Sequence, residues 1–364
     1  MKCRILFIAL SFVELILLAS CGQSKHQPNV NPLLPTSDSS ASMIKPTYTW
    51  TTVPSDILPT TGKLINYQLT FITNGENIYG IDVDCLESNQ LCFGKKKLIV
   101  TIQERHIAPV KPVVYHSWDY DGDKLAICAT GMGDRDEIFW ANLDDLQWTN
   151  ITNSNAIDCS PIWTPDGSRI VYETSSQQIN NGHKIYSVLL NGQQPIQLLG
   201  TKRFGDEGMI SISPDGNQIA YIHSDDYGFY QLFIANLDGS NRVQLTDLPA
   251  HNYSPSFSPD GKWLVFQRHT DPYSTTKQSD DSRKHIVIMN IETKKEITLI
   301  SGNNEFEDFS FPTWAPFGQW IAFNSNISGN YDIYIIRIDG SGLTKVTSGK
   351  GFEGNPKWRI YYSP

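Results

Sequence analysis

Phe257-Ser258-Pro259-Asp260-Gly261, followed at once by Leu264-Val265-Phe266, is the stretch on which the fold turns. Pro presets φ, Asp can hydrogen-bond its own backbone and Gly accepts a positive φ, so Pro259-Asp260-Gly261 reads as a tight turn. The run behind it is short and rich in β-branched and aromatic residues, the mark of a buried strand rather than a helix. Two such runs around such a turn make a hairpin.

The stretch recurs. Trp118-Asp119-Tyr120-Asp121-Gly122, Trp163-Thr164-Pro165-Asp166-Gly167 and Ile212-Ser213-Pro214-Asp215-Gly216 precede it, and a worn copy, Trp314-Ala315-Pro316-Phe317-Gly318, follows. The glycines are spaced by 45, 49 and 45 residues, then by 57 to the worn copy. Periods of this size mark a repeat whose unit cannot bury its own apolar face. Behind each turn comes a second strand: Leu125-Ala126-Ile127, Ile170-Val171-Tyr172, Ile219-Ala220-Tyr221 and Ile321-Ala322-Phe323 in the other copies. A third run follows, as in Leu232-Phe233-Ile234 and Ile333-Tyr334-Ile335, then a turn such as Leu237-Asp238-Gly239-Ser240, then an outer run such as Val243-Gln244-Leu245-Thr246. Four antiparallel strands repeated radially form the blades of a β-propeller.

The ends supply the missing blade. Asn355-Pro356-Lys357-Trp358 restarts a first strand, whereas Leu69-Thr70-Phe71-Ile72, Ile78-Tyr79-Gly80-Ile81 and Leu98-Ile99-Val100 read as second, third and fourth strands lacking a first. Pairing the C-terminal strand with these three closes the ring and removes its open edges. The expected fold is all-β, a six-bladed propeller of four-stranded antiparallel blades over residues 63–364.

The Pro-x-Trp-Ser-Pro-Asp-Gly, Ile-Ala-Phe, Ile-Tyr and Asp-Gly-Ser succession resembles the TolB-type propeller repeat across residues 64–362. It differs from the WD-type repeat, since no Gly-His opening or Trp-Asp closing pair recurs. TolB proteins carry an α/β domain ahead of the propeller; in this sequence only about 40 residues stand between the expected signal and the first predicted blade. Residues 1–20 read as a lipoprotein signal: Lys2 and Arg4, an apolar stretch from Ile5 to Leu18, then Leu18-Ala19-Ser20-Cys21. Cys21 is the expected lipidated residue. Residues 21–62 are rich in Ser, Pro, Thr and Asn and read as a flexible tether, with a reach of roughly 35 Å. The implied address is the cell envelope: outer membrane and periplasm in a diderm organism, otherwise the outer face of the plasma membrane.

An exported chain permits disulfides. Cys85 and Cys92 flank a loop of the first blade and can staple it; Cys128 and Cys159 read equally well as a bridge or as two buried thiols. A net charge of -9 argues against a nucleic-acid partner.

Strand direction separates two rims. The Pro-Asp-Gly and Asp-Gly-Ser turns share one, where lengths hardly change. The second-to-third-strand loops and blade crossovers share the other, where length varies freely, the usual ground for binding surfaces. Innermost strands start on that variable rim, which places Asp158, Glu207, Asn252, Asp308 and Glu353 at the channel mouth, with His116 a few residues along its strand. Converging carboxylates repel unless a cation or a basic group sits among them. Three readings stay open: a site for calcium or another divalent cation, a pocket for a Lys- or Arg-bearing peptide, and bonding to backbone groups of the neighbouring blade. No cofactor is specified by motif. His116, His223, His251 and His269 admit an alternative, a metal-dependent glycan-binding protein or a propeller lyase acting on uronate oligosaccharides. Hydrolase elbows, His-Glu-x-x-His and phosphate loops are missing. The leading expectation is a lipid-anchored, non-enzymatic scaffold that binds an envelope protein or peptide, basic in character, through the variable rim.

Overall fold

The computed structural model describes residues 64–84, 91–101, 115–130, 135–175, 182–200, 207–270 and 283–363. The expected signal, Cys21, the tether and Cys85 lie outside the described residues.

Six antiparallel sheets follow one another along the chain. Blades 2 to 6 each take four consecutive strands, starting with His116–Trp118, Ile157–Trp163, Gly208–Ile212, Ala250–Phe257 and Phe309–Trp314. Blade 1 joins both ends of the chain. Its innermost strand is Glu353–Ser363, laid against Leu64–Thr73, then Asn77–Asp84; Cys92–Phe93 and Lys97–Thr101 share the outer position. Leu69 pairs with Trp358 and Tyr67 with Ile360, which is the expected closure.

The core is a ring of six interfaces. Leu125 and Ile127 of blade 2 pack with Ile72 and Ile78 of blade 1, Trp163 and Tyr172 of blade 3 with Ile138 of blade 2, and Ile219 and Tyr221 of blade 4 with Val171 and Ile185 of blade 3. Two further clusters join blades 4 to 5 and 5 to 6, and Leu69 and Phe71 with Ala322 and Ile335 join blade 6 back to blade 1. A fully buried Leu, Ile or Phe here contributes about 2 kcal/mol of transfer free energy. Leaving out one blade would expose two faces.

The turns share one backbone bond. In each copy the glycine N–H donates to the residue three before it, as Gly216 does to Ser213 and Gly261 to Ser258, both at 2.9 Å. Gly167, Gly216 and Gly261 have φ of 66°, 73° and 68°. Hydroxyls of Thr164, Ser213 and Ser258 donate to Asp166, Asp215 and Asp260 at 2.5 Å, tying the turn from within. The worn copy keeps the Gly318–Ala315 bond, and its Phe317 packs edge-on against Tyr67 and Trp358, each 5.2 Å away. Its lost Asp is thus exchanged for a contact with the closing strand.

Innermost strands carry a shared bulge. Ser160, Met209, Ser254, Phe311 and Asn355 occupy equivalent positions with φ between 49° and 54°, and the register shifts there in each case. Five non-glycine residues held in the left-handed region need support from their surroundings. Part of it comes from the preceding blade: Glu173 accepts the Met209 N–H at 2.5 Å, and Asn324 accepts that of Asn355 at 3.3 Å.

Candidate functional site in the third blade

The register identifies six equivalent residues at the start of the outer strands. Gly80 pairs with Lys97, Trp140 with Thr149, Ser187 with Ile196, Ile234 with Val243, Ile288 with Ile297 and Ile335 with Thr344. The preceding residues are therefore counterparts: Lys96, Trp148, Pro195, Arg242, Glu296 and Leu343 in blades 1 to 6.

In blade 1, Lys96 crosses the sheet face. Its Nζ lies 4.3 Å from the Tyr79 ring centre and 5.1 Å from that of Phe71, and it ends on the carboxylate of Glu353. Blade 4 repeats the layout with Tyr221 and Phe233, whose ring centres are 5.7 Å apart, and Arg242 Nη1 3.3 Å from Glu207 Oε1. Blade 5 inverts the charges: Arg268 grips Glu296 with two bonds of 2.6 and 2.8 Å and donates to Asn252 at 2.9 Å. In blade 2, Trp148 packs on the blade 1–2 core. In blade 6, Phe309 stands at the inner position with its ring 6.0 Å from Phe323.

Blade 3 keeps the acid and the aromatic pair, but among the described residues no cation pairs with the acid. Asp158 is 1% exposed, and the Tyr172 and Tyr186 rings are 6.1 Å apart, tilted by 32° as the blade 4 pair is by 31°. Pro195 is too short to span them. A pocket of about 650 Å³ opens in its place, lined by Asp158, Tyr172, Thr174, Tyr186 and Pro195, with Arg135 and Lys184 also on its wall. The hydroxyl of Ser154 donates to Asp158 at 2.7 Å, and Thr152 and Thr174 also hold it. These partners are neutral, and burial pushes the Asp158 carboxyl above its usual range. A disulfide between Cys128 of blade 2 and Cys159 of blade 3, the residue after Asp158, joins the two blades, with Cα atoms 5.0 Å apart. Cys92 is also disulfide-bonded.

The other mouth residues are placed differently from a converging ring. Each sits in its own seam with its own partner. Glu207 has Arg242 and His223, Glu353 has Lys96, Asp308 has Lys284 at 3.1 Å and the Tyr331 hydroxyl at 2.9 Å, and Asn252 has Arg268. Mutual repulsion, the reason for expecting an added cation, is answered by the protein's own lysines and arginines. Burial still raises Glu207 to about 6 against the pull of Arg242. A threonine latch recurs ahead of three of the mouth residues. Thr152, Thr246 and Thr347 accept the N–H of Ile138, Leu232 and Ile333 at 2.9 to 3.0 Å. Six residues further on stand Asp158, Asn252 and Glu353, and the Asn252 amide donates to Thr246 at 3.2 Å. Sequence reading missed Pro195; aligning the outer-strand starts by register is what reveals it.

The TolB beta propeller domain family matches residues 89–278. The chain belongs to this family. An uncharacterized protein, Atu1656, of Agrobacterium fabrum is 27% identical over 52% of this chain and 57% of its own length. The Tol-Pal system protein TolB of Francisella tularensis subsp. mediasiatica is 24% identical over 68% of this chain and 54% of its own. The chain thus spans little more than half the length of these relatives. The TolB crystal structure from Acinetobacter baumannii aligns with a TM-score of 0.60 at 17% identity, over 81% of this chain and 66% of that one, a likeness of fold.

Within this TolB-type propeller the channel wall is crowded. The ring of Tyr115 in blade 2 lies 6.0 Å from that of Phe311 in blade 6, reaching past blade 1. His116 is buried; its Nε2 is 2.9 Å from the Thr70 hydroxyl, and burial near Lys357 lowers it to about 3. Burial lowers Lys357 itself to about 8. The four histidines of the lyase reading are spread over blades 2, 4 and 5, where only His251 and His269 pair in register. Among the described residues no group of three or more His, Cys, Asp or Glu side chains is arranged to hold a metal ion.

Proposed function

We propose that this chain is a non-enzymatic scaffold of the cell envelope that binds a protein partner through the groove between blades 2 and 3 and the variable rim above it. The observation that carries the reading is the blade 3 pocket, about 650 Å³, within the range of ligand sites and bordered by the crossover residues Ser154, Asn155 and Ala156. The family supports it: relatives carry the name of a Tol-Pal system protein. In this reading residues 1–20 are the signal, Cys21 carries lipid, residues 21–62 are the tether and residues 63–364 the propeller. The remaining mouth residues, Glu207, Asn252, Asp308, Glu353 and His116, then hold the rim in shape.

Photo-crosslinking tests the surface. A crosslinker at Asn155 or Tyr186 should capture an envelope protein in intact cells, whereas one at Asp260 on the constant rim should not. Equal capture from both rims, or capture from Asp260 alone, sinks the reading. Anchoring is tested separately by metabolic labelling with an alkyne fatty acid, which Cys21→Ala should abolish.

A further inference from the structure

We propose that the unfilled slot in blade 3 receives the side chain of a lysine or arginine carried by the partner, its stem lying on the Tyr172–Tyr186 pair and its charge ending at Asp158. This rests on the groove being a contact site, and it names the chemistry that the site selects.

The protein supplies the template twice over. In blade 1 a lysine, and in blade 4 an arginine, leaves the start of the outer strand and ends on the acid of the innermost strand. Along the way the blade 1 lysine passes over two rings, with Nζ 4.3 Å from the nearer ring centre. Tyr172–Tyr186, Tyr221–Phe233 and Phe71–Tyr79 occupy the same register positions, with ring centres 6.1, 5.7 and 6.3 Å apart. Aromatic faces attract a cation, and a desolvated carboxylate gains most from a counter-charge at short range. Among the described residues, blade 3 lacks only the cation. Its acid is held by three hydroxyls, which orient the carboxylate without neutralising it. A buried charge so placed is costly alone and satisfied by an arriving ammonium or guanidinium.

Direction of entry follows from the surroundings. Arg135, which donates to Asn155 at 3.1 Å, and Lys184 add positive charge to the pocket wall and oppose a cation arriving past them. The Pro195 side is open, and it is the side from which Lys96 and Arg242 set out in their own blades.

The test is a titration of the full chain with Nα-acetyl-lysine methylamide and Nα-acetyl-arginine methylamide, followed by NMR. The norleucine analogue, which keeps the stem and drops the charge, serves as control. Saturable binding of the two cations and none of norleucine is expected. Asp158→Asn should weaken it by about tenfold or more. Pro195→Arg should fill the slot from within, as Arg242 does, and abolish probe binding while the chain stays folded. Arg242→Ala should open a second slot and raise the stoichiometry for the arginine probe from one to two. Absence of saturable binding, equal binding of norleucine, or wild-type affinity in both Asp158→Asn and Pro195→Arg overturns the proposal. Failure of the probes with groove crosslinks intact rejects the cation chemistry alone. Probe binding with no groove crosslinks instead rejects the protein-contact reading and leaves the slot's chemistry standing.

Discussion

Blades 3 and 4 are neighbours built to one plan, and they differ in a single decisive residue. Both bring an acid at the start of the innermost strand toward a pair of tilted rings, Asp158 with Tyr172 and Tyr186, Glu207 with Tyr221 and Phe233. Arg242 fills the slot in one; Pro195 leaves it open in the other. A repeat protein can thus make a site by omission: charged side chains close the slot in blades 1, 4 and 5, and leaving one out exposes a surface already shaped for it. Asp158 meets neutral hydroxyls and Glu207 a guanidinium, so the two acids also respond differently to change.

The largest expected effect comes from the bridge that ties blade 3 to blade 2. Replacing Cys128 and Cys159 by alanine removes a bridge across 31 residues, which should cost about 3.5 kcal/mol in chemical denaturation. Hydrogen exchange should rise first in Ile157–Trp163, since this bridge ties that strand to blade 2. An unchanged midpoint would mean the two blades need no staple.

Next is the filled slot. Arg242→Ala leaves Glu207, itself 1% exposed, with His223 at 3.6 Å as its remaining basic neighbour among the described residues, and about 2 kcal/mol of stability should go at pH 7. The loss stays below that for a wholly buried pair because Arg242 reaches solvent and Glu207 can take up a proton. Pro195→Arg should have the opposite sign.

Glu207 also gives the comparison a pH dependence. Its folded value, about 6, lies above the ordinary 4.5, so the folded state holds the proton more tightly. Stability tied to this group is therefore fully present below about pH 4.5 and lost as pH rises through about 6. Glu207→Gln should be more stable than the wild type at pH 7.5 by about 1–2 kcal/mol, with the advantage vanishing near pH 4. A flat difference across that window would place the origin elsewhere.

The smallest effect concerns the threonine latch on the third strands of blades 2 and 4. Thr246→Val strips the acceptor from Leu232 N–H and the donor from Gln231 Oε1, bonds of 2.9 and 2.8 Å, and should cost about 1.5 kcal/mol. Denaturation of Thr152→Val should show a similar loss at the equivalent latch, together with a looser Asp158. A null result in both would demote the latch to coincidence.

Much of this was readable beforehand, for identifiable reasons. Pro-Asp-Gly turns are local chemistry, and they appear where the residues demand them; so do the second strands, whose β-branched runs fit a buried pleat and nothing else. Closure was legible because Asn355–Trp358 repeats a first strand and the N-terminal strands lack one. The acids of the innermost strands were legible as positions but not as partners. Nothing within a few residues of Glu353 discloses that Lys96, from the other end of the chain, ends on it. The same holds for Asp308 and Lys284.

The amino-acid order alone determined the wheel: hairpin turns, buried strands, six units and the stitching of both ends, because each follows from turn chemistry and side-chain period over short distances. Tertiary structure alone decided which charges are spoken for and which are not. Side chains that start on outer strands and end on inner ones meet only after the sheets have twisted and packed. Pro195 is therefore unremarkable as a letter and decisive as a place.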